Sequence, residues 1–186
     1  MALEIIDLPK TDERLIQEAA AVLVAGFCKL CPSAWPDMDS ALEEVQEMLQ
    51  PDRICRCAID ETGSLLGWIG GMEYEGYDGH VWELHPLVVK PNKQGTGIGR
   101  ALVEDLEQQV RQRGALTLCL GTDDETNRTS LSGADLYDNL WDKIQNIQNV
   151  NHHPYRFYQQ LGYTIIGVMP DANGRGKPDI YMAKRL

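Results

Sequence analysis

The chain has 186 residues, 43% of them hydrophobic and 24% charged, with 28 acidic against 17 basic side chains and a formal net charge of −11. This length allows one domain, 1–186, with a sizeable core. The acidic balance argues against nucleic acid and anionic membrane as partners and favours a cationic ligand. No apolar run is long enough to span a bilayer. The opening MALEIIDL carries Glu4 and Asp7 and reads as an edge strand, not a signal peptide. Five cysteines, an odd number, point to reduced thiols in the cytoplasm. Cys28-x-x-Cys31 has zinc-knuckle spacing but lacks a second pair, so no metal is expected.

In chain order, Thr11 to Leu30 places Leu15, Ile16, Ala19, Val22, Leu23 and Phe27 at helical spacing. Pro32 and Pro36, on either side of Trp35, break that helix. Ser40-x-x-Glu43 predicts a capping box opening a second helix, with Leu42, Val45, Met48 and Leu49 inward and a stop before Pro51. Ile54–Asp60 and Ser64–Met72 follow as strands joined by a Glu-Thr-Gly turn. A loop over 73–79 then holds Tyr74, Glu75, Tyr77 and Asp78.

Val81 to Lys90 is apolar and β-branched enough for a buried strand, ended by Pro91 and Asn92. Glu83 and His85 are two apart on it, so their side chains share a face. Two ionisable groups on a buried strand need a reason, because unpaired burial is costly. The turn Gln94-Gly95-Thr96-Gly97-Ile98-Gly99 leads into a helix with Ile98, Leu102, Leu106 and Val110 four apart, closed by Gly114. A glycine-lined helix start leaves backbone N–H groups open, and a pyrophosphate fits such a terminus. A Walker loop would require Gly-Lys-Ser/Thr, which is missing.

A strand over Ala115–Gly121 runs into Thr122-Asp123-Asp124-Glu125, which reads either as a solvated loop or as a cation site at a strand end. Asp135 is the expected cap of a helix carrying Leu136, Leu140, Ile144 and Ile147 on one stripe. Pro154 and Gly162 frame a short helix, with His152 and His153 as capping or surface residues. Strands over Tyr163–Met169 and Ile180–Lys184, joined by a turn at Pro170–Gly174, complete the chain.

The spacing Gln94-x-x-Gly97-x-Gly99 resembles the acetyl-coenzyme A loop of the GNAT acetyltransferase superfamily. Asn151, Phe157, Tyr158, Gly162 and Tyr163 resemble its closing motif, with Pro154 in place of the usual alanine. Trp82–Val89, Leu120–Asp124, His153-Pro154-Tyr155 and Pro170–Gly174 with Lys177–Ile180 look like one branch of the aminoglycoside 6′-N-acetyltransferases. The resemblance implies an α/β GNAT fold: a mixed, mostly antiparallel sheet with helices on both faces, splayed at the acetyl-CoA site.

It further implies acetyl transfer from acetyl-CoA to a cationic aminoglycoside, often in a homodimer. Glu83, His85 and Tyr158 fall on the family's active-site positions. Glu83 would bind the ammonium and take its proton, with His85 as the competing base at an ordinary pKa of about 6.5. Tyr158 would protonate the departing thiolate. Leu87, Val88, Val89, Gln94, Gly95, Thr96, Gly97, Ile98, Gly99, Arg100 and Asn151 would contact the coenzyme. Where the family often has arginines, this chain has Asn92, Lys93 and Gln94. Trp35, Tyr77, Glu83, Asp123, Asp124 and Asp179 would line an acidic, aromatic drug cleft. Acetylation of another cationic amine (a polyamine or a protein N-terminus) stays open, as does a non-catalytic acetyl-CoA or drug-binding module.

Overall fold

A computed structural model describes residues 3–186. The chain falls into two compact units, one running through Leu118 and including Leu186, the other spanning Cys119–Arg185.

The first unit is built on an antiparallel meander. Strand β1 (Glu4–Asp7) pairs with β2 (Ile54–Ile59), β2 with β3 (Leu65–Glu73), and β3 with β4 (Val81–Val89). The expected edge strand is therefore present. Helix α1 (Glu13–Phe27) is shorter than its periodicity predicts, because the Asp12 carboxylate caps it by accepting from Leu15 N at 3.0 Å. Helix α2 (Met38–Met48) starts ahead of the predicted capping box. Asp37 is the cap, and Ser40 sits at the third helical position, donating its N–H to Asp37 at 2.9 Å.

Both helices pack on one face of the meander, where Leu15, Ala19, Leu23, Ala41, Val45 and Met48 are buried with Cys57, Trp68 and Val88. Trp68 is fully buried, and its indole N–H satisfies itself on Ala19 O at 3.1 Å. Helix α3 (Ile98–Gln112) covers the opposite face, where a Cβ on Gly71 would press to 2.7 Å on Leu106 Cδ1. It ends in a Schellman motif, with Gly114 N bonded to Arg111 O and Ala115 N to Val110 O.

The β3–β4 register shifts between Ile69 and Gly71, so Gly70 faces the His85–Pro86 step. A Cβ on Gly70 would run into the His85 carbonyl and lie 2.6 Å from Met48 Cε. Only glycine fits there, and the irregularity sits directly behind the two ionisable residues of β4.

Strand β5 (Thr117–Asp123) carries the chain into the second unit. There β7 (Asp179–Arg185) lies between β5 and β6 (Thr164–Met169), antiparallel to β6. Helix α5 (Tyr155–Gln160) also closes as a Schellman motif, with Gly162 N on Gln159 O and Tyr163 N on Tyr158 O. The long apolar stripe expected from Leu136 to Ile147 is not one helix. Helix α4 covers Leu140–Gln145 alone. The Asp135 carboxylate is spent on a turn, accepting from Tyr137 N at 3.0 Å. Asn139, at φ 49°, ends any helical run from that side, and Leu136 is buried as a loop residue.

Candidate active site

The first unit gathers three ionisable groups. Glu83 and His85 are both half-buried, and the residues flanking them, Trp82, Leu84 and Pro86, are buried. The period-two reading of the strand therefore holds at these two positions. Helix α2 adds a third group that the sequence reading does not single out. Glu44 Oε1 lies 3.5 Å from His85 Nε2, and Glu44 Oε2 accepts from Trp35 Nε1 at 3.3 Å. Trp35 packs edge-on against Phe27, with ring centroids 4.7 Å apart, and tilts against the His85 ring at 5.7 Å. Trp35, expected at the substrate, and His85, expected at the chemistry, thus meet through Glu44. A signal was present: Glu44 is three residues after Ala41 and four before Met48, on the apolar stripe of α2, where an acid is out of place unless paired.

The electrostatics of the cluster follow from these contacts. Burial raises the Glu83 carboxyl above its ordinary value, against the charges of His85 and Arg53. Burial would lower His85, but the Glu44 hydrogen bond and the charges of Glu44, Glu83 and Glu47 outweigh it and raise the imidazole. Burial likewise penalises the Glu44 carboxylate, yet His85, Trp35 and Arg53 hold its pKa below the usual value. His85 therefore keeps its proton over more of the neutral range than an ordinary histidine. This departs from the ordinary pKa expected of it and leaves less of it in the neutral form that could take a proton.

The glycine-rich turn has the form an anion site requires. Gly95 and Gly97 have φ of 75° and 92°, and a Cβ at either would meet nothing within 4 Å. Their role is conformational, and the turn is open on its outer side. Gly97 is the N-cap of the 15-residue α3, with no side-chain cap hydrogen bond, so no side chain competes for the first N–H groups of the helix. Thr96 Oγ1 donates to Lys93 O at 2.6 Å and Gln94 Nε2 to Val89 O at 3.3 Å, tying the turn to the end of β4. Ile98 is buried and anchors the helix start, so its contribution to a ligand is its backbone. Arg100 lies 3.6 Å from Glu104 on the exposed side of α3. Tyr77 is exposed in the β3–β4 turn, edge-on to Tyr74 at 5.6 Å. Among the described residues no ring contact joins it to the Trp35–His85 cluster.

The second unit presents its own candidates. Tyr158 is buried, with its ring against Phe157 at 5.1 Å and Tyr163 at 5.8 Å. Burial pushes its hydroxyl pKa up, so it holds its proton throughout the physiological range. The acidic run after β5 is neither a solvated loop nor an open cation site. Asp124 is completely buried, and its oxygens accept from Arg128 N at 2.7 Å and Thr129 N at 2.8 Å. Burial would raise its pKa, but the Ser132 side chain, the bonds from Arg128 and Thr129 and the charge of His153 hold it below its ordinary value. Both Asp124 oxygens are thus engaged in shaping its own loop. Asp123 bonds Asn173 through its side chain and receives His153 Nε2 on its carbonyl at 3.0 Å. Asp179 is half-buried at the start of β7, beside Gly121.

His153 is buried, where the sequence allows capping or surface. Its Nδ1 accepts from Tyr155 N at 3.2 Å, so Nε2 carries the hydrogen given to Asp123 O, and burial lowers its pKa. It does cap α5, from inside. Asn151 is exposed, and its backbone is pinned by Arg128, whose Nε donates to Asn151 O at 2.7 Å.

The acetyltransferase (GNAT) family model matches residues 22–132. A crystal structure of an aminoglycoside 6′-N-acetyltransferase complexed with coenzyme A is 42% identical, over 98% of this chain and 96% of that one, with a TM-score of 0.87. An aminoglycoside 6′-N-acetyltransferase from Enterococcus faecium matches with the same values. An aminoglycoside 6′-acetyltransferase type Ii is 36% identical over the same shares, with a TM-score of 0.73. Among curated proteins none matches. Strand β4 with its two ionisable residues, the uncapped glycine turn opening α3 and the family match agree, and the chain belongs to the GNAT acetyltransferase family.

Proposed function

We propose that this protein is an aminoglycoside 6′-N-acetyltransferase, moving the acetyl group of acetyl-CoA to the drug's 6′-amine within a ternary complex. The observation that carries the reading is its full-length likeness to an enzyme of that name crystallised with coenzyme A. Acetyl-CoA supplies the acetyl group as a thioester. The open turn Gln94–Gly99 with Arg100 holds its pyrophosphate on the start of α3. Asn151 and the backbone of Leu87, Val88 and Val89 line the rest of its course.

Glu83 holds the drug's ammonium and takes its proton, directly or through one water, which frees the nitrogen lone pair for the thioester carbon. Its raised pKa makes it a stronger base than an exposed carboxylate. The N–H of Leu87 or Val88 polarises the carbonyl. As the carbon–sulfur bond breaks, Tyr158 gives its hydroxyl proton to the departing thiolate, a role its persistently protonated state suits. Trp35, Tyr77, Asp123 and Asp179 recognise the polycation, while Asp124 frames the loop that follows β5. The enzyme acts as a homodimer, for which Tyr137 and Trp141, 79% and 70% exposed, offer apolar surface.

Thiol release from acetyl-CoA with kanamycin, with spermidine and with no acceptor tests the reading. Fast release with kanamycin alone is expected. Faster release with spermidine moves the substrate to another amine, and no release with any amine leaves a binding module.

A further inference from the structure

Glu44 lies on the apolar stripe of α2 and is tied at both oxygens to site residues. Its side chain is 15% exposed, whereas the His85 side chain is 40% exposed. One oxygen holds the Trp35 indole and the other faces His85 Nε2. Trp35 in turn leans on Phe27 at the end of α1, so the arrangement is braced by two helices. An imidazole with one nitrogen held by a half-buried carboxylate and one face against an indole has lost its freedom to rotate. Its other nitrogen, Nδ1, is then presented in a fixed direction.

We propose that Glu44 is a positioning residue for acetyl transfer, clamping His85 between itself, Trp35 and Glu83 so that His85 serves Glu83 as a fixed neighbour. This rests on the acetyl-transfer reading. The groups facing His85 are Glu44 and Glu47 from α2 and Glu83 from its own strand, with Arg53, which follows α2, facing Glu44 and Glu83. Three carboxylates around one imidazole favour its cation, and Arg53 offsets part of their charge. His85 thereby holds a positive charge near Glu83, which offsets part of the rise that burial gives that carboxyl and keeps it ionised to receive the ammonium. Glu44 never touches the amine; it acts through His85.

The test pairs a titration with a double-mutant cycle. Glu44→Gln keeps the shape and an oxygen for Trp35 but removes the charge. By NMR the His85 midpoint should fall in Glu44→Gln, and Glu44→Asp should recover part of the shift. In kinetics with kanamycin, Glu44→Gln should lower kcat about tenfold with the KM for acetyl-CoA unchanged. Added to His85→Ala it should cost nothing further, because residues acting through one another are not additive. Additive losses, or an unmoved His85 titration, would overturn the proposal and leave Glu44 a helix anchor. The titration needs no turnover, so a wild-type protein inactive on every amine would sink the functional reading while still reporting the Glu44–His85 coupling.

Discussion

The two units each bring carboxylates together, and they spend them differently. In the first, Glu44 and Glu83 flank a titratable imidazole and an indole N–H on a half-open face. In the second, Asp124 is sealed, and its bonds go to the backbone N–H groups of Arg128 and Thr129. Depth of burial differs, with Asp124 fully enclosed and the Glu44 side chain 15% exposed, but it does not by itself decide the role. The partners separate them. A backbone N–H cannot change charge or leave, so a carboxylate satisfied by it becomes part of the frame. One satisfied by a histidine stays in a system whose protons can move, as a transfer site requires.

The largest effect that would break this contrast is in the first unit. Glu83→Ala should reduce kcat about 10²–10⁴-fold and raise the KM for the drug, with the thermal midpoint nearly unchanged. Steady-state kinetics at saturating acetyl-CoA across pH 5 to 9 would check it. Full activity would hand the base role to His85 or to water. The reverse pattern belongs to Asp124→Ala, which should destabilise the fold by about 1.5–3 kcal/mol for each charge-assisted bond lost. The folded fraction should keep its KM for the drug, and urea unfolding read beside kinetics would settle the matter. An intact fold with failed drug binding would return Asp124 to the substrate.

The pH dependence sharpens the same contrast. His153 and Asp124 both have folded pKa values below their unfolded ones. The unfolded chain therefore binds more protons, and the stability each group gives is lost as pH falls. For His153 the loss begins below about pH 6.5, and for Asp124 below about pH 3.9. His153→Gln should flatten the first decline, as seen in unfolding curves taken from pH 7 to 5. An unchanged slope would mean that another group titrates there. Tyr158→Phe should have a smaller effect, since the ring contacts with Phe157 and Tyr163 remain and water can protonate a thiolate. A few-fold drop in kcat with an unmoved melting temperature is expected, and a large loss of stability would make Tyr158 a packing residue. Smallest is the response to salt. Screening weakens attraction between a polycation and carboxylates, so the KM for kanamycin should rise with ionic strength more than that for acetyl-CoA. Equal slopes would count against an acidic cleft.

How much of this was legible beforehand depends on the range of the signal. Strand β4, the glycine turn and α3 are written in local periodicity and turn chemistry, and Glu83 and His85 share a face by counting alone. Helix α5 and its closure at Gly162 are equally local. Glu44 escaped because its partners, Trp35 and His85, lie 9 and 41 residues away (44 − 35 and 85 − 44), and no local pattern carries such a pairing. His153 escaped for the same reason: its ring finds the Asp123 carbonyl, 30 residues back. The stripe from Leu136 to Ile147 misled because periodicity does not register a backbone turned to positive φ at Asn139. The bonds of Asp124 to Arg128 and Thr129 were hidden because a sequence shows the charge and not the N–H groups that claim it.

Gly70 carries a consequence for mutational tolerance. A side chain there would strike the His85 carbonyl and the tip of Met48, on the strand behind the reacting face. Any replacement has to push β4, and His85 with it, out of line. A mutational scan scored on drug survival would therefore mark this chemically inert position as intolerant as Glu83, and to every residue type alike. At Glu83, by contrast, an aspartate or glutamine retains part of the original chemistry. Gly67 shares the constraint of Gly70, since there too the backbone of β4 occupies the space a side chain would take.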